Sequence, residues 1–149
     1  MEEKIVSDNI EWDSVNWAKF LDFIDESKID FQEKKVLAIG ERNGGISLFF
    51  ALKGAEVLCT DLDGPTEKAH VLHKKYGVDS QICYAAIDAV SIPEEYNGQF
   101  DIVTSKSVNG GIGRNNNYRA QEQCVDSVYR VLKKRRLYFC GKYAWFHHA

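Results

Sequence analysis

The 149-residue sequence contains only 2 prolines, so it holds no proline-rich linker or proline-rich recognition segment. Its 4 cysteines are widely separated and form no CxxC pair, which is typical of a reduced protein with buried free thiols. No apolar run reaches the roughly 20 residues of a membrane helix. The acidic first residues lack the apolar stretch of a signal peptide. We therefore expect a cytoplasmic protein with no membrane segment.

The charge balance excludes strong long-range attraction to polyanions. The formal net charge is −3, so neither nucleic acid nor an anionic membrane is a favoured partner. With 44% hydrophobic and 28% charged residues the composition is that of an ordinary globular protein. The length predicts one domain over 1–149, with a helical segment at 1–34 and a core at 35–149.

Short apolar runs alternate with segments of helical periodicity along most of the chain. The apolar runs predict five strands, at 35–40, 55–60, 80–87, 100–104 and 137–140. The periodic segments predict helices at 44–53, 65–76 and 118–133, and an N-terminal helix capped by Asp13 or Ser14. This alternation is typical of an α/β fold, a Rossmann-like doubly wound parallel sheet with helices on both faces.

In such sheets ligands bind at the carboxyl ends of the strands. The first strand ends at Gly40, and Gly44 and Gly45 follow, so the backbone can turn tightly into a helix N-terminus that favours anions. Asp61 lies 21 residues after Gly40 and could accept both hydroxyl protons of a ribose. Asp88 follows the third strand and could accept from the amino group of a base. These residues predict a nucleoside site, although the glycines and Asp61 could instead serve only as turn residues.

Four segments resemble, in order, the motifs of class I methyltransferases that use S-adenosylmethionine: VLAIGERNGG, CTDLD, AAIDA and FDIVTSKSV. The resemblance runs from about Val36 to Cys140. It implies that the loop 40–45 holds the methionine part of the cofactor, that Asp61 holds the ribose and that Asp88 with Ala89 frames the adenine. The cofactor-binding residues that it implies are Gly40, Glu41, Gly44, Gly45, Asp61, Leu62, Asp88, Ala89 and Ser105.

The chain also departs from the pattern that it resembles. The family usually has an acidic residue where Ala38 stands and a glycine where Arg42 stands. Glu41 and Arg42 could also be simply solvent-exposed. The chain stops after the fifth strand, before the antiparallel hairpin that ends the family's sheet, so we expect a fragment or a shortened form. No catalytic residue and no metal site is predicted, although Lys106 and its neighbouring serines follow the fourth strand.

Three hypotheses for function remain open. The first is a methyltransferase that acts on a small molecule such as a metabolite, sugar or glycan precursor. The second keeps the fold but replaces the cofactor with a nicotinamide dinucleotide, although Arg42 interrupts the GxGxxG spacing that such proteins use. The third is a non-catalytic module that forms homo-oligomers through the exposed edge of the fifth strand.

Other features have both a functional and a structural interpretation. His70 and His73 lie three residues apart on a predicted helix, which suits either a two-ligand metal face or a partly exposed helix face. The basic residues between 130 and 136 could contact phosphates or lie at a solvated helix end. The glycine- and asparagine-rich segment 109–117 predicts a mobile lid or a disordered connection.

Overall fold

Five parallel strands form one sheet in the order β3-β2-β1-β4-β5 in the computed structural model, which describes residues 7–10 and 14–140. The strands are β1 (Lys35–Ile39), β2 (Glu56–Asp61), β3 (Ile82–Ala86), β4 (Phe100–Ser105) and β5 (Leu132–Cys140). The helices are α1 (Ser14–Glu26), α2 (Gly45–Leu52), α3 (Glu67–Lys75), α4 (Val108–Ile112) and α5 (Tyr118–Val131). Short 3₁₀ turns lie at Asp79–Gln81, Glu94–Tyr96 and Arg114–Asn116. The predicted α/β fold with a doubly wound parallel sheet is confirmed.

Strands β1 and β4 are covered on both faces of the sheet. Every residue of β4 is buried, and in β1 all residues after Lys35 are buried. Side chains alternate between faces along a strand, so Val36 and Ala38 belong to one hydrophobic cluster, whereas Leu37 and Ile39 belong to another. Continuous apolar runs of this kind suit a parallel sheet that lies between two helical layers.

Helix α1 covers the first of these clusters. Trp17, Leu21 and Ile24 are buried, and Phe20 packs edge-on against Trp17 with ring centroids 5.2 Å apart. Their spacing of three and four residues places them on one helical face, as the sequence predicts. Of the two predicted caps, Asp13 lies outside the described residues. No helix in the described part of the chain is long and apolar enough to cross a membrane.

Several predicted boundaries are wrong. The third strand begins at Ile82 rather than at residue 80, because Asp79–Gln81 forms a 3₁₀ turn. Helix α5 ends at Val131 rather than at residue 133, since Leu132 already has the extended backbone of β5 (ψ 139°). The ammonium of Lys133 lies 2.7 Å from the carboxylate of Asp101, so this lysine forms an ion pair instead of capping the helix.

Two expectations about polar segments are also corrected. The segment 109–117 contains most of α4 and a 3₁₀ turn instead of a disordered connection, and Gln121 donates a hydrogen bond to the carbonyl of Asn109 (2.7 Å). The guanidinium of Arg130 donates to the carbonyl of Ile92 and to the side chain of Asn97, so it is not simply solvated. Among the cysteines, Cys59 and Cys124 are buried free thiols as predicted, but Cys83 is exposed.

Candidate functional site

Three neighbouring strands bring their carboxyl ends to one edge of the sheet. β1 lies beside β2, and β2 lies beside β3, all parallel. Gly40 follows β1 directly, Asp61 ends β2, and Asp88 comes two residues after the end of β3. The N–H of Ile87 donates to the carbonyl of Asp61 (2.9 Å), which keeps the two aspartate-bearing ends side by side. The predicted convergence of these strand ends is therefore present.

A cavity of about 300 Å³ opens at this edge. Its lining residues come from the loop after β1, the start of α2, the end of β2, the residue after β4 and the N-terminal segment: Asn9, Gly40, Glu41, Arg42, Asn43, Gly44, Gly45, Ile46, Asp61 and Lys106. Five of the predicted site residues are thus brought together. The other four do not line this cavity: Leu62, Asp88, Ala89 and Ser105.

Each of those four residues has a different environment. Asp88 is exposed, and its carboxylate accepts a hydrogen bond from the N–H of Val90 (2.9 Å). Leu62 is 63% exposed, whereas Ala89 is buried in a hydrophobic cluster. Ser105 is buried in β4, where it pairs with Ile39. Their predicted contacts with a cofactor remain predictions.

The glycines of the loop make room for other parts of the protein. Gly40 and Gly44 have φ values of +69° and +77°, in the left-handed region that favours glycine. A Cβ on Gly40 would overlap the side chain of Val108, and one on Gly45 would overlap the backbone carbonyl of Asn9. A Cβ on Gly44 would lie 2.6 Å from Nε2 of His73. The sequence predicted close approach to a ligand, whereas the structure shows close approach of α4, the N-terminal segment and α3.

Glu41 is a buried carboxylate within this loop, which corrects the interpretation that it is solvent-exposed. Only 5% of the residue is exposed. One carboxylate oxygen accepts from the N–H (2.8 Å) and the hydroxyl (3.1 Å) of Ser47 in α2. Burial raises the pKa of Glu41 to about 7, although the Ser47 hydrogen bonds and the charge of Lys106 lower it. The site therefore contains a carboxyl group that changes its charge near neutral pH.

Asp61 is held in place by backbone donors on both of its carboxylate oxygens. The N–H of Arg42 donates to one oxygen (3.0 Å), and the N–H of Leu62 donates to the other (2.8 Å). An ionised carboxylate can accept about four hydrogen bonds. Asp61 therefore keeps the capacity to accept from two hydroxyl groups of a ligand.

Lys106 and Asn9 were not among the predicted binding residues. Lys106 follows β4 directly, and its ammonium lies 5.3 Å from the ring centroid of Trp17, within cation–π distance. Its position after a strand was visible in the sequence. The position of Asn9 was not, because no pattern in the first residues indicates that they pack against Gly45.

His73 is buried, so the expected partly exposed helix face is wrong for this residue. Its Nε2 lies 2.8 Å from the carbonyl oxygen of Gly44, and its Nδ1 lies 2.9 Å from the hydroxyl of Tyr84. Since both ring nitrogens already have protein partners, His73 and the exposed His70 do not form a metal-binding face. Burial lowers the pKa of His73 below its usual value, which keeps the imidazole neutral.

Comparison with known proteins supports the fold. No protein-family model and no curated protein sequence matches the chain. Among solved structures, a Listeria monocytogenes protein, provisionally described as an S-adenosylmethionine-dependent methyltransferase, has a TM-score of 0.61 and 22% identity. The match covers 84% of this chain and 53% of that one.

Two further matches have higher TM-scores. The YcgJ protein from Bacillus subtilis has a TM-score of 0.67 and 22% identity, covering 83% of this chain and 50% of that one. A phosphoethanolamine N-methyltransferase from Haemonchus contortus, solved with S-adenosylhomocysteine, has a TM-score of 0.65 and 22% identity, covering 83% of this chain and 28% of that one. This chain spans about half the length of the first two structures. It has the fold of the class I S-adenosylmethionine-dependent methyltransferases.

Proposed function

We propose that this chain binds S-adenosylmethionine in the cavity beside the glycine loop and acts in methyl transfer to a small-molecule acceptor. The observation that carries the proposal is that one cavity joins two carboxylates, Glu41 and Asp61, across a glycine loop at the carboxyl edge of the sheet. A ligand with a positive charge and a vicinal diol complements this pair of groups. The fold shared with methyltransferases, one of them solved with S-adenosylhomocysteine, supports the same cofactor.

Asp61 is the proposed ribose-binding residue. Its carboxylate is fixed by the N–H groups of Arg42 and Leu62, so it loses little side-chain freedom when a ligand binds. Two adjacent hydroxyls could donate to its remaining lone pairs. Because the two backbone donors come from the glycine loop and from the residue after β2, ligand binding at Asp61 would also stabilise the contact between these segments.

Glu41 is the proposed counter-charge for the cationic end of the cofactor. The chain has Ala38 where the resemblance leads us to expect an acidic residue, and Ala38 is fully buried in β1. Glu41 lies three residues later and lines the cavity. A positive charge nearby would favour ionisation of this carboxyl group and restore its pKa toward the usual range. We infer that Glu41 replaces the missing acid from a different position.

The chemistry of transfer requires little from the protein beyond positioning. The cofactor supplies a methyl group on a positively charged sulfur, which is already activated for attack. The chain's part is to orient that group and to exclude water from the cavity. Lys106 lines the cavity and is a candidate to contact an anionic acceptor. Leu62, Asp88, Ala89 and Ser105 remain proposed contacts of the adenosine part.

The nicotinamide alternative is less consistent with the electrostatics of the loop. A dinucleotide places its pyrophosphate on the glycine loop and helix N-terminus. In this chain that loop contains the buried carboxylate of Glu41, which would repel a phosphate whenever it is ionised. A cationic ligand would instead be attracted to the ionised carboxylate of Glu41. The carboxyl groups of Glu41 and Asp61 therefore favour the sulfonium cofactor, whereas Arg42 and Lys106, which also line the cavity, would attract a phosphate.

Isothermal titration calorimetry with S-adenosylhomocysteine tests the proposal, with NAD as the competing ligand. We expect the parent chain to bind S-adenosylhomocysteine and Asp61→Asn to bind it about tenfold more weakly, since a charge-assisted hydrogen bond is lost. Asp63→Asn is the matched control, because Asp63 is exposed in the same turn and does not line the cavity. No binding by the folded parent chain at millimolar ligand would refute the cofactor assignment.

A further inference from the structure

His73 lies under the glycine loop, on the side where α3 packs. It is fully buried, although it belongs to a helix whose charged side chains are exposed. Ala69, one turn earlier, is also buried, and its Cβ would lie 2.9 Å from a Cβ on Gly44. The absence of a side chain at Gly44 is therefore what allows the imidazole to reach the backbone of the loop.

The hydrogen bonds of His73 define which nitrogen carries the proton. The carbonyl of Gly44 can only accept, so the Nε2 atom at 2.8 Å must be the donor. In a neutral imidazole Nδ1 is then an acceptor, and the hydroxyl of Tyr84 at 2.9 Å donates to it. Burial raises the pKa of Tyr84 to about 12, which keeps this hydroxyl protonated. The groups facing His73 are Tyr84 from β3, His70 from its own helix and Asp79 from the following turn.

The carbonyl of Gly44 is the point where the loop becomes a helix. It also accepts from the N–H of Leu48 (2.9 Å), which is the first intrahelical bond of α2. The N–H of Gly44 donates to the carbonyl of Glu41, closing the turn that contains this cavity-lining residue. The imidazole therefore contacts the carbonyl of the residue at which α2 starts, and the N–H of that same residue closes the turn from Glu41.

Helix α3 contacts the loop at a second point. The N–H of Thr66, which precedes α3, donates to the carbonyl of Arg42 (2.7 Å), and its hydroxyl donates to the side chain of Asn43 (2.7 Å). These contacts hold the exposed half of the loop. His73 contacts the buried half of the loop, at the carbonyl of Gly44.

We propose that His73 is a positioning residue, which holds Gly44 in the left-handed conformation of the turn that contains Glu41, and that Tyr84 sets the tautomer of His73. This inference rests on the proposed function for its ligand, but the geometry is a property of the free protein. The role requires a neutral donor at the Nε2 position. A glutamine side chain can place an amide N–H at a similar distance from the backbone, whereas phenylalanine fills the space without a donor.

The first experiment measures S-adenosylhomocysteine affinity by calorimetry for the parent chain, His73→Gln, His73→Phe and Tyr84→Phe. We expect His73→Phe to raise the dissociation constant about tenfold, the scale of one lost orienting hydrogen bond. His73→Gln should rescue affinity to within about threefold of the parent, and Tyr84→Phe should fall between the two. His70→Asn, on the exposed face of the same helix, is the matched control. Equal affinities for the parent, His73→Phe and Tyr84→Phe would overturn the proposal. If His73→Phe does not fold, an affinity of Tyr84→Phe equal to that of the parent overturns it.

The second experiment needs no ligand, so it separates this proposal from the proposed function. Nitrogen-15 NMR of the histidine rings should show the His73 proton on Nε2. The Leu48 N–H and the His73 ring donate to the same carbonyl, that of Gly44. Without the ring that carbonyl is held less firmly, so the amide of Leu48 should exchange about tenfold faster in His73→Phe than in the parent. A proton on Nδ1, or unchanged exchange at Leu48, would refute the positioning role. If the parent chain binds no S-adenosylhomocysteine but these two results are obtained, only the cofactor assignment fails.

Discussion

Replacing Glu41 with glutamine should stabilise the free protein and weaken its ligand binding at the same time. Burial raises the pKa of Glu41 from 4.5 to about 7. At 1.36 kcal/mol per pKa unit, this corresponds to about 3 kcal/mol of stability that the ionised carboxylate removes from the folded state. The residue is only 5% exposed, so solvent screening reduces this figure little.

The direction of the pH dependence follows from the proton balance. Between pH 4.5 and about 7 the folded chain holds a proton on Glu41 that the unfolded chain has lost. Stability due to this group is therefore greatest below pH 4.5 and decreases as the pH rises to about 7. Glutamine carries no charge at any pH, and its amide oxygen can still accept a hydrogen bond from Ser47. The stability gain of Glu41→Gln should thus be absent near pH 4.5 and largest above pH 7.

Thermal unfolding of both proteins from pH 4.5 to 8 measures this difference. A chain of this size shifts its melting temperature by roughly 2–4 °C per kcal/mol, so a gain of about 3 kcal/mol predicts roughly 6–12 °C at pH 8. Glu95→Gln is the matched control because Glu95 is exposed. Parallel curves for the parent chain and Glu41→Gln over the whole range would refute the reasoning, since the carboxyl group would then ionise equally in the folded and unfolded states.

Two further predictions concern the same loop. The affinity for S-adenosylmethionine should increase as the pH rises through about 7, because a cation binds the ionised form of Glu41. Calorimetry below pH 7 in buffers of different ionisation enthalpy should show proton release on binding. An affinity independent of pH would contradict the counter-charge role. Gly44→Ala should destabilise the chain by about 2 kcal/mol or more, because φ is +77° and the new Cβ would meet His73. Gly110→Ala, in a helix with no atom within 4 Å of the new Cβ, should change the free energy of unfolding by less than about 1 kcal/mol in a urea titration.

The strands of the sheet could be predicted from the sequence because each one is marked by a short run of apolar residues. Val36, Leu37, Ala38 and Ile39 form a continuous apolar run, which is the pattern of a strand covered on both faces. Right-handed crossovers then leave few ways to arrange five such strands. The boundaries were less predictable, as at Lys133, because its ion pair with Asp101 joins residues that are 32 positions apart.

The candidate site was predictable only in part. Gly40 and Asp61 follow neighbouring parallel strands, so the sequence could place them at one edge. The burial of Glu41 could not be predicted, because it depends on how the turn directs the carboxylate toward Ser47. His73 was also misjudged, since its polar partners, Gly44 and Tyr84, lie 29 and 11 residues away. The sequence predicted a partly exposed helix face for His73, although the residue lies four positions after the buried Ala69 on the same helix.

The two buried titratable groups at the loop have opposite dependences on pH. His73 has a lowered pKa, so its contribution to stability is complete above its usual pKa of 6.5 and decreases as the pH falls below it. Glu41 has a raised pKa and destabilises the folded chain as the pH rises to about 7. Near neutral pH the imidazole is therefore neutral and fixes Gly44, while the carboxyl group a few residues earlier is close to half ionised. A bound cation would complete that ionisation, so the same burial that lowers the stability of the free protein favours a positively charged ligand.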